Sequence, residues 1–170
     1  MRSSAIVLSC IFAAISYGIG HDQITARVCV EYFTIGHPPI FATADPTLLG
    51  LGWGIIATWW VGLILGLGLA IAARGGSRPP RSVTSLIGPV AELLAITAIA
   101  ALAMGILGYA LAQLGLIELV NPLASDVPQR KHAAFLADLW AHSASYFVGG
   151  VGGIVVMIRV WRSRRVDKLL

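Results

Sequence analysis

The sequence has few charged residues. Lys, Arg, Asp and Glu make up 12% of its 170 residues, whereas a soluble domain usually carries about 25%. Apolar residues make up 57%, and the mean hydropathy is +0.82. This balance excludes an ordinary soluble domain. It predicts an all-α integral membrane protein with a single transmembrane domain over residues 1–170.

Cysteine is also scarce. Cys10 lies inside the first apolar run and Cys29 lies beyond it, which argues against a disulfide between them and excludes a disulfide framework. We expect Cys29 to be buried as a small apolar residue. If it is exposed in an oxidising compartment, it could instead join a partner chain.

Sequence motifs of catalysis are absent. The chain contains no G-x-S-x-G, no H-E-x-x-H and no phosphate-binding glycine loop, and the segment RGGSRPPR lacks the Lys-Ser/Thr that such a loop requires. Ser143 near His142 and Asp138 resembles a triad by composition only, because one short helix segment does not supply the geometry. We predict no catalytic residues, and a non-enzymatic protein is favoured.

Four apolar runs are long enough to cross a hydrocarbon core, which needs about 20 helical residues. The predicted spans are about 4–20, 48–73, 90–113 and 141–161. They leave outer loops at 21–47 and 114–140 and a cytoplasmic loop at 74–89. The predicted fold is therefore a four-helix transmembrane bundle. A cleaved signal at MRSSAIVLSCIFAAISYGIG is an alternative for the first run, although the run lacks an A-x-A-like site.

Basic residues predict the orientation. Nine lie on one side of the predicted membrane and three on the other, so the positive-inside rule places both termini in the cytoplasm. The nine are Arg2, Arg74, Arg78, Arg81, Arg159, Arg162, Arg164, Arg165 and Lys168. This distribution indicates topology and a lipid-bilayer partner, and it does not predict nucleic-acid binding.

Several helices are expected to extend beyond the membrane on the outer face. The third is bounded by Pro89 and by Asn121-Pro122, and the fourth begins near Pro128 with Asp126 as a possible cap. Residues 24–35 fit either a strand, by their alternation, or a helix, by the spacing of Arg27 and Glu31 as an ion pair. The helix is favoured because no partner strand is evident.

Small residues recur every four positions in two spans. The rows contain Gly50, Gly54, Gly62 and Gly66 in the second span and Gly149 and Gly153 in the fourth. Such rows allow helix backbones to approach closely in lipid. We therefore predict tight helix packing at these glycines. A transporter or channel component is an alternative, for which the glycine rows would line a path and Glu92 would face it.

All four histidines fall on the predicted outer side, together with several acids. The leading hypothesis is a polar cluster that binds a partner or a small ligand, formed by Arg27, Glu31, His37, His132, Asp138 and His142. His21 and His142 are also candidate ligands of a transition metal or a haem, which makes a redox protein a further alternative. The absence of any cofactor is nevertheless favoured, since metal-binding spacings such as H-x-x-x-H are missing.

Two segments, ARVCVEYFTIGHPP and DPTLLGLGWGIIATWW, resemble stretches of uncharacterised bacterial membrane proteins with four spans. The resemblance covers about the first 60 residues, and FLADLWAHSASY is similar as well. It implies a multi-pass protein of the bacterial inner membrane whose polar helix ends face the periplasm. It implies no activity, and a homo-oligomer or another membrane protein stays open as a partner.

Overall fold

The computed structural model describes residues 3–164, and every regular element within this range is helical. The helices are α1 (Ser3–Val28), α2 (Val30–Thr34), α3 (Pro46–Ile56), α4 (Trp59–Arg74), α5 (Thr84–Gln113), α6 (Leu123–Asp126) and α7 (His132–Arg162). A 3₁₀ turn at Gln129–Lys131 leads into α7. The prediction of an all-α protein is confirmed for the described residues.

Four helical segments are long and apolar enough to cross a membrane. They are Ser3–Val28, Pro46–Arg74, Thr84–Gln113 and Gln129–Arg162. Each reaches beyond the corresponding predicted span at one end or both. Three of the basic residues used to predict the orientation, Arg2, Arg165 and Lys168, lie outside the described residues.

The second of these segments is interrupted. α3 begins at a capping residue, Asp45, whose carboxylate accepts a hydrogen bond from the Leu48 N–H at 2.8 Å, with Pro46 in the first turn. α3 ends at Ile56 and α4 begins at Trp59, so Ala57 and Thr58 are not helical. The Thr58 hydroxyl donates to the Gly54 carbonyl across this break.

Residues 24–35 are helical, as favoured, but the helix is broken. α1 ends at Val28, Cys29 is extended with φ −147° and ψ 96°, and α2 begins at Val30. The break changes the direction in which residues after Cys29 point. Glu31 therefore no longer follows Arg27 at helical spacing.

One predicted helix start is wrong, and one predicted helix cap does not form. α5 begins at Thr84, so Pro89 lies inside the helix rather than at its first position. Ser85 bonds to Ser82 through its N–H and its hydroxyl, which supports a first turn before Pro89. The fourth apolar segment begins at Gln129, next to Pro128 as predicted, but Asp126 does not cap it, because Asp126 is the last residue of α6.

The helices pack as two pairs. α1 lies against α3 and α4, α5 lies against α7, and the pairs meet mainly where α4 contacts α7. The glycine row of α3 and α4 faces α1. A Cβ added at Gly54 would lie 2.5 Å from the Ile19 nitrogen, and one at Gly62 would lie 2.7 Å from the Ile11 Cα. Backbone contact of this kind gives van der Waals attraction without a hydrophobic force.

α4 and α7 touch along only part of their length. A Cβ at Gly153 would lie 2.8 Å from the Leu65 side chain, so the helices are in contact there. One turn earlier in α7, a Cβ at Gly149 would meet only a Thr97 methyl group at 3.9 Å, and a Cβ at Gly150 would meet nothing within 4 Å. Gly149 therefore borders open space instead of a close contact.

The two ends of the molecule have different cores. We call the end that carries His21, His37, His132 and His142 the histidine end, and the other the arginine end. Ile6, Leu69, Ala73, Leu86, Val156 and Val160 form the apolar cluster at the arginine end. Cys29, Tyr32, Phe33, Trp53, Phe135 and Leu136 belong to the cluster at the histidine end.

At the arginine end, Arg164 connects α7 to the end of α4. Its guanidinium donates to the carbonyls of Ala72 at 2.7 Å, Gly75 at 2.9 Å, Arg78 at 2.7 Å and Pro79 at 2.8 Å, and the residue is only 2% exposed. The Ala72 carbonyl lies in the last turn of α4, where backbone acceptors lack helical partners, and the other three carbonyls follow the helix. The arginine end is thus closed by a charge-assisted network.

Candidate functional site

Three potential metal-ligating side chains meet at the histidine end. His21 and Asp22 are consecutive residues of α1, and His142 approaches them from α7. One ligand atom from each lies within 4.8 Å of the other two. The Nε2 atom of His142 is 3.2 Å from the Asp22 Oδ1 atom, and the rings of His21 and His142 stand edge to face with centroids 4.5 Å apart. Asp22 is 4% exposed and His142 is 9% exposed.

Helix packing positions these side chains. A Cβ at Gly50 would lie 3.0 Å from the Asp22 carbonyl group, so α3 presses directly on the backbone that carries the carboxylate. One turn deeper, the hydroxyls of Tyr17 and Ser145 share a hydrogen bond of 2.8 Å between α1 and α7. The Tyr17 ring also stacks on His21, with centroids 5.8 Å apart. These contacts determine how α1 packs against α3 and α7, and therefore where the His21, Asp22 and His142 side chains lie.

Aromatic rings cover the site from the histidine end. We call Tyr32, Phe33, His37 and Trp53 the aromatic roof. Tyr32 and Phe33 lie 4.6 Å and 5.7 Å from the His142 ring, and His37 lies 4.6 Å from Trp53. The His37 Nδ1–H donates to the Tyr32 carbonyl at 2.8 Å. Burial lowers the pKa of His37, which keeps its imidazole neutral at pH 7 within the roof.

A cavity of about 340 Å³ extends from this site into the helix bundle. Its end near the roof is lined by His21, Asp22, His142 and by tyrosines, whereas its deeper wall is aliphatic. The deeper wall contains Val61, Ile64, Leu65, Leu93, Leu94, Gly149 and Gly150. The cavity therefore has one polar end and one apolar end.

The cavity opens sideways between α4 and α7. Of the residues that line it, Trp60, Ile64 and Tyr146 are 45%, 58% and 46% exposed on the outer surface of the helices. The Tyr146 hydroxyl donates to the Ala57 carbonyl at 3.3 Å above this opening, and Leu65 contacts α7 below it. We call the opening the lateral window.

The predicted polar cluster does not assemble as one site. Arg27 donates to Gln23 and, at 2.8 Å, to the Thr47 hydroxyl. Glu31 pairs instead with Lys131, with 3.5 Å between Nζ and the carboxylate. The expected Arg27–Glu31 ion pair does not form, because the helix break at Cys29 turns Glu31 away from α1. Neither residue lines the cavity.

The remaining predicted residues divide between the cavity and its surroundings. His37 and His142 line it. His132 donates from Nε2 to the Val127 carbonyl at 2.9 Å and stabilises the turn before α7. Asp138 is 1% exposed, lies behind His142 and leaves its Oδ2 atom without a hydrogen-bond partner among residues 3–164.

Asp22 is the site residue that the sequence interpretation overlooked as a ligand. Its position directly after His21 is visible in the sequence. On an α-helix, consecutive residues point about 100° apart, and a ligand pair of this kind requires a third group on a facing helix. Only the packing of α7 on α1 reveals that group as His142.

Two alternatives lose support. A haem held between His21 and His142 would need the porphyrin between the two rings, whereas the rings are in edge contact at 4.5 Å. Glu92 does not face the cavity. It pairs with Arg159 at 3.4 Å at the arginine end, with 53% of its side chain exposed.

Cys29 is buried beneath the roof with 0% exposure, as favoured from the sequence. Burial raises the pKa of its thiol to about 12, and the carboxylates of Glu31 and Asp138 act in the same direction. The thiol therefore stays protonated at neutral pH. A disulfide to a partner chain would require the roof to open.

No protein-family model, curated protein or solved structure matches the chain. The function of the chain must therefore be inferred from the geometry of the site.

Proposed function

We propose that this is a four-span protein of the bacterial inner membrane that binds a small amphipathic molecule through the lateral window. The polar head of the molecule lies beside Asp22 and His142, and its apolar part lies along the deeper wall. Both termini are in the cytoplasm, and the histidine end faces the periplasm. The observation that carries the proposal is a cavity with one polar end and a side opening.

The cavity has the size and lining of a ligand pocket. Its volume of about 340 Å³ lies at the lower end of the roughly 300–1,000 Å³ found for small-molecule sites. Such sites are mostly apolar and contain a few polar groups that orient the ligand. The His21, Asp22 and His142 side chains provide these groups at one end only, which suits a molecule with one polar head.

The direction of entry selects the class of ligand. The aromatic roof covers the polar end with buried residues, of which Tyr32, Phe33 and Trp53 are 8%, 2% and 7% exposed. The lateral window instead lies between two membrane-spanning segments. A molecule that enters there comes from the hydrocarbon phase, which favours a lipophilic compound over a water-soluble one.

Filling the cavity provides the test. Gly150→Leu places a side chain in the cavity at a position where an added Cβ meets nothing within 4 Å. Gly20→Leu is the matched control, because its added Cβ also meets nothing within 4 Å and Gly20 lines a different groove. Native mass spectrometry would compare binding of octanoate and 4-hexylphenol to the wild type and both variants in mild detergent.

We expect one bound molecule per chain in the wild type and in Gly20→Leu, and loss of that adduct in Gly150→Leu. Equal adducts in all three proteins would show that the probes bind only to the lipid-facing surface. That outcome, or the absence of any adduct in the wild type, would contradict the proposal.

A further inference from the structure

Hydrogen bonding determines which nitrogen of His142 carries a proton. The Nδ1 atom lies 2.8 Å from the main-chain carbonyl oxygen of Asp138. A carbonyl oxygen can only accept, so Nδ1 must be the donor. In a neutral imidazole the other nitrogen, Nε2, then presents a lone pair.

That lone pair faces a second acceptor. The His142 Nε2 atom is 3.2 Å from the Asp22 Oδ1 atom, and both atoms are buried between α1 and α7. Two acceptors at this distance repel each other in a medium of low polarity unless a cation lies between them. The pair therefore calls for a positive charge at this point.

A ring nitrogen of His21, the third residue of the cluster, also has no hydrogen-bond partner among the described residues. The Nε2 atom of His21 is buried and makes no hydrogen bond within residues 3–164. An unpaired buried polar group destabilises the folded state, because it has lost its hydrogen bonds to water without gaining others. A proton on His142 would satisfy the Asp22 pair and leave His21 Nε2 unpaired, whereas one metal ion can accept electron pairs from all three side chains.

We infer that His21, Asp22 and His142 bind a divalent transition-metal ion. Two imidazole nitrogens and one carboxylate oxygen are a ligand set suited to Zn²⁺, Fe²⁺, Ni²⁺ or Cu²⁺, while Mg²⁺ and Ca²⁺ favour all-oxygen sites. The inference stands independently of whether an amphipathic molecule enters the cavity.

The distances agree with this ligand set. Donors about 2.0–2.1 Å from a tetrahedral ion lie roughly 3.3 Å from one another. Asp22 and His142 are already 3.2 Å apart, and rotation of the His21 ring brings the third donor closer from within the 4.8 Å limit of the cluster. A tetrahedral ion held by three protein ligands would keep one coordination position open for water or another ligand.

The surroundings resemble those of metal-binding histidines in general. A histidine ligand usually donates its second ring N–H to a carbonyl or carboxylate, which orients the ring and selects its tautomer. The Asp138 carbonyl has this role for His142. Tyr17 stacks on the His21 ring, and the aromatic roof covers the site from the histidine end.

Cobalt binding is the first experiment. The full-length chain would be purified without a polyhistidine tag in mild detergent, treated with chelator, and titrated with Co²⁺ while its visible absorption is recorded, with Zn²⁺ as competitor. We expect one Co²⁺ per chain, displaced by Zn²⁺. Absence of stoichiometric binding to the wild type would overturn the inference whatever the variants do.

Variants assign the ligands. Asp22→Asn, His21→Ala and His142→Ala should each weaken Co²⁺ binding by more than the roughly 10–100-fold loss that removal of an outer-shell partner causes. His132→Ala is the matched control, because His132 also lies at the histidine end but hydrogen-bonds to the Val127 carbonyl instead of lying in the cluster. Size-exclusion chromatography verifies that each variant is folded.

The outcomes separate this inference from the proposed amphipathic ligand. Gly150→Leu should keep full Co²⁺ affinity while it loses the octanoate adduct, and Asp22→Asn should lose Co²⁺. If Asp22→Asn binds Co²⁺ as tightly as the wild type, the Asp22 and His142 pair shares only a proton, and the metal assignment is wrong.

Discussion

Two interfaces of the same broken span differ in what their glycines do. Against α1, Gly54 and Gly62 bring backbones into direct contact. Against α7, contact is limited to the region of Leu65 and Gly153, and Gly149 and Gly150 border a cavity. A small residue permits either close packing or empty space, and the facing helix decides which.

The contrast is sharpest for a leucine substitution. In Gly54→Leu the new side chain collides with the Ile19 backbone, where an added Cβ already lies 2.5 Å from the nitrogen. Overpacking typically costs 1–3 kcal/mol, and because backbone atoms cannot move aside we expect at least about 3 kcal/mol. Thermal unfolding in detergent, with Gly150→Leu as control, measures the difference. Similar midpoints for the two variants would refute the contrast.

The roof and the lateral window should differ in chemical access. At pH 8 the pKa of about 12 leaves Cys29 almost without thiolate, so we expect labelling at least roughly 100-fold slower than for an exposed thiol. A cysteine introduced at Ile64, which is 58% exposed at the window, should react with a membrane-permeant maleimide. Both rates are measured in a Cys10→Ser background, and fast native labelling of Cys29 would show that the roof opens.

The arginine end should resist separation of α4 and α7. Arg164→Ala removes four charge-assisted hydrogen bonds and leaves the buried Ala72 carbonyl at the end of α4 unpaired, so we expect a loss of about 3 kcal/mol. Arg159→Ala is the control. The Arg159 side chain is 64% exposed and, among residues 3–164, pairs with Glu92 at 3.4 Å, a type of contact worth less than about 1 kcal/mol. Equal losses would contradict the assigned role of Arg164.

The smallest change in unfolding free energy is expected for the hydrogen bond above the lateral window. Tyr146→Phe removes one hydrogen bond of 3.3 Å to the Ala57 carbonyl, which corresponds to about 0.5–1 kcal/mol of unfolding free energy. It should also increase the exchange rate of a bound amphiphile. Tyr109→Phe is the control, since Tyr109 is equally exposed at 46% but lies on the far side of the helices from the window. An unchanged exchange rate of the amphiphile in Tyr146→Phe would show that the Tyr146 hydrogen bond does not control passage through the lateral window.

The sequence predicted helical content and the four apolar segments because both depend on local composition and length. It did not predict the helix breaks at Cys29 and at Ala57 and Thr58, since neither site contains proline or glycine. The incorrect Arg27–Glu31 pair follows from the first of these breaks. Local spacing could not anticipate a change in chain direction that tertiary contacts stabilise.

Sequence patterns predicted the candidate site only in part, for a similar reason. The grouping of histidines at one end was visible, and His21 and His142 were named as possible metal ligands. Asp22 was missed because its significance depends on which face of α1 meets α7. Likewise, Gly149 and Gly153 belong to one row in sequence, but Gly149 lies beside the cavity and Gly153 beside Leu65.

The break at Ala57 and Thr58 has a mechanical consequence. It divides the second span into two shorter helices, α3 and α4. The continuous helix α1 lies alongside both and contacts each of them at glycines. Because α1 packs against both α3 and α4, it holds them in a fixed relative orientation. The break cannot work as a hinge between α3 and α4 unless α1 bends as well. For the proposed entry of an amphipathic molecule, we therefore expect the lateral window to widen by a tilt of α5 and α7 together, while Arg164 keeps α7 bound to the end of α4.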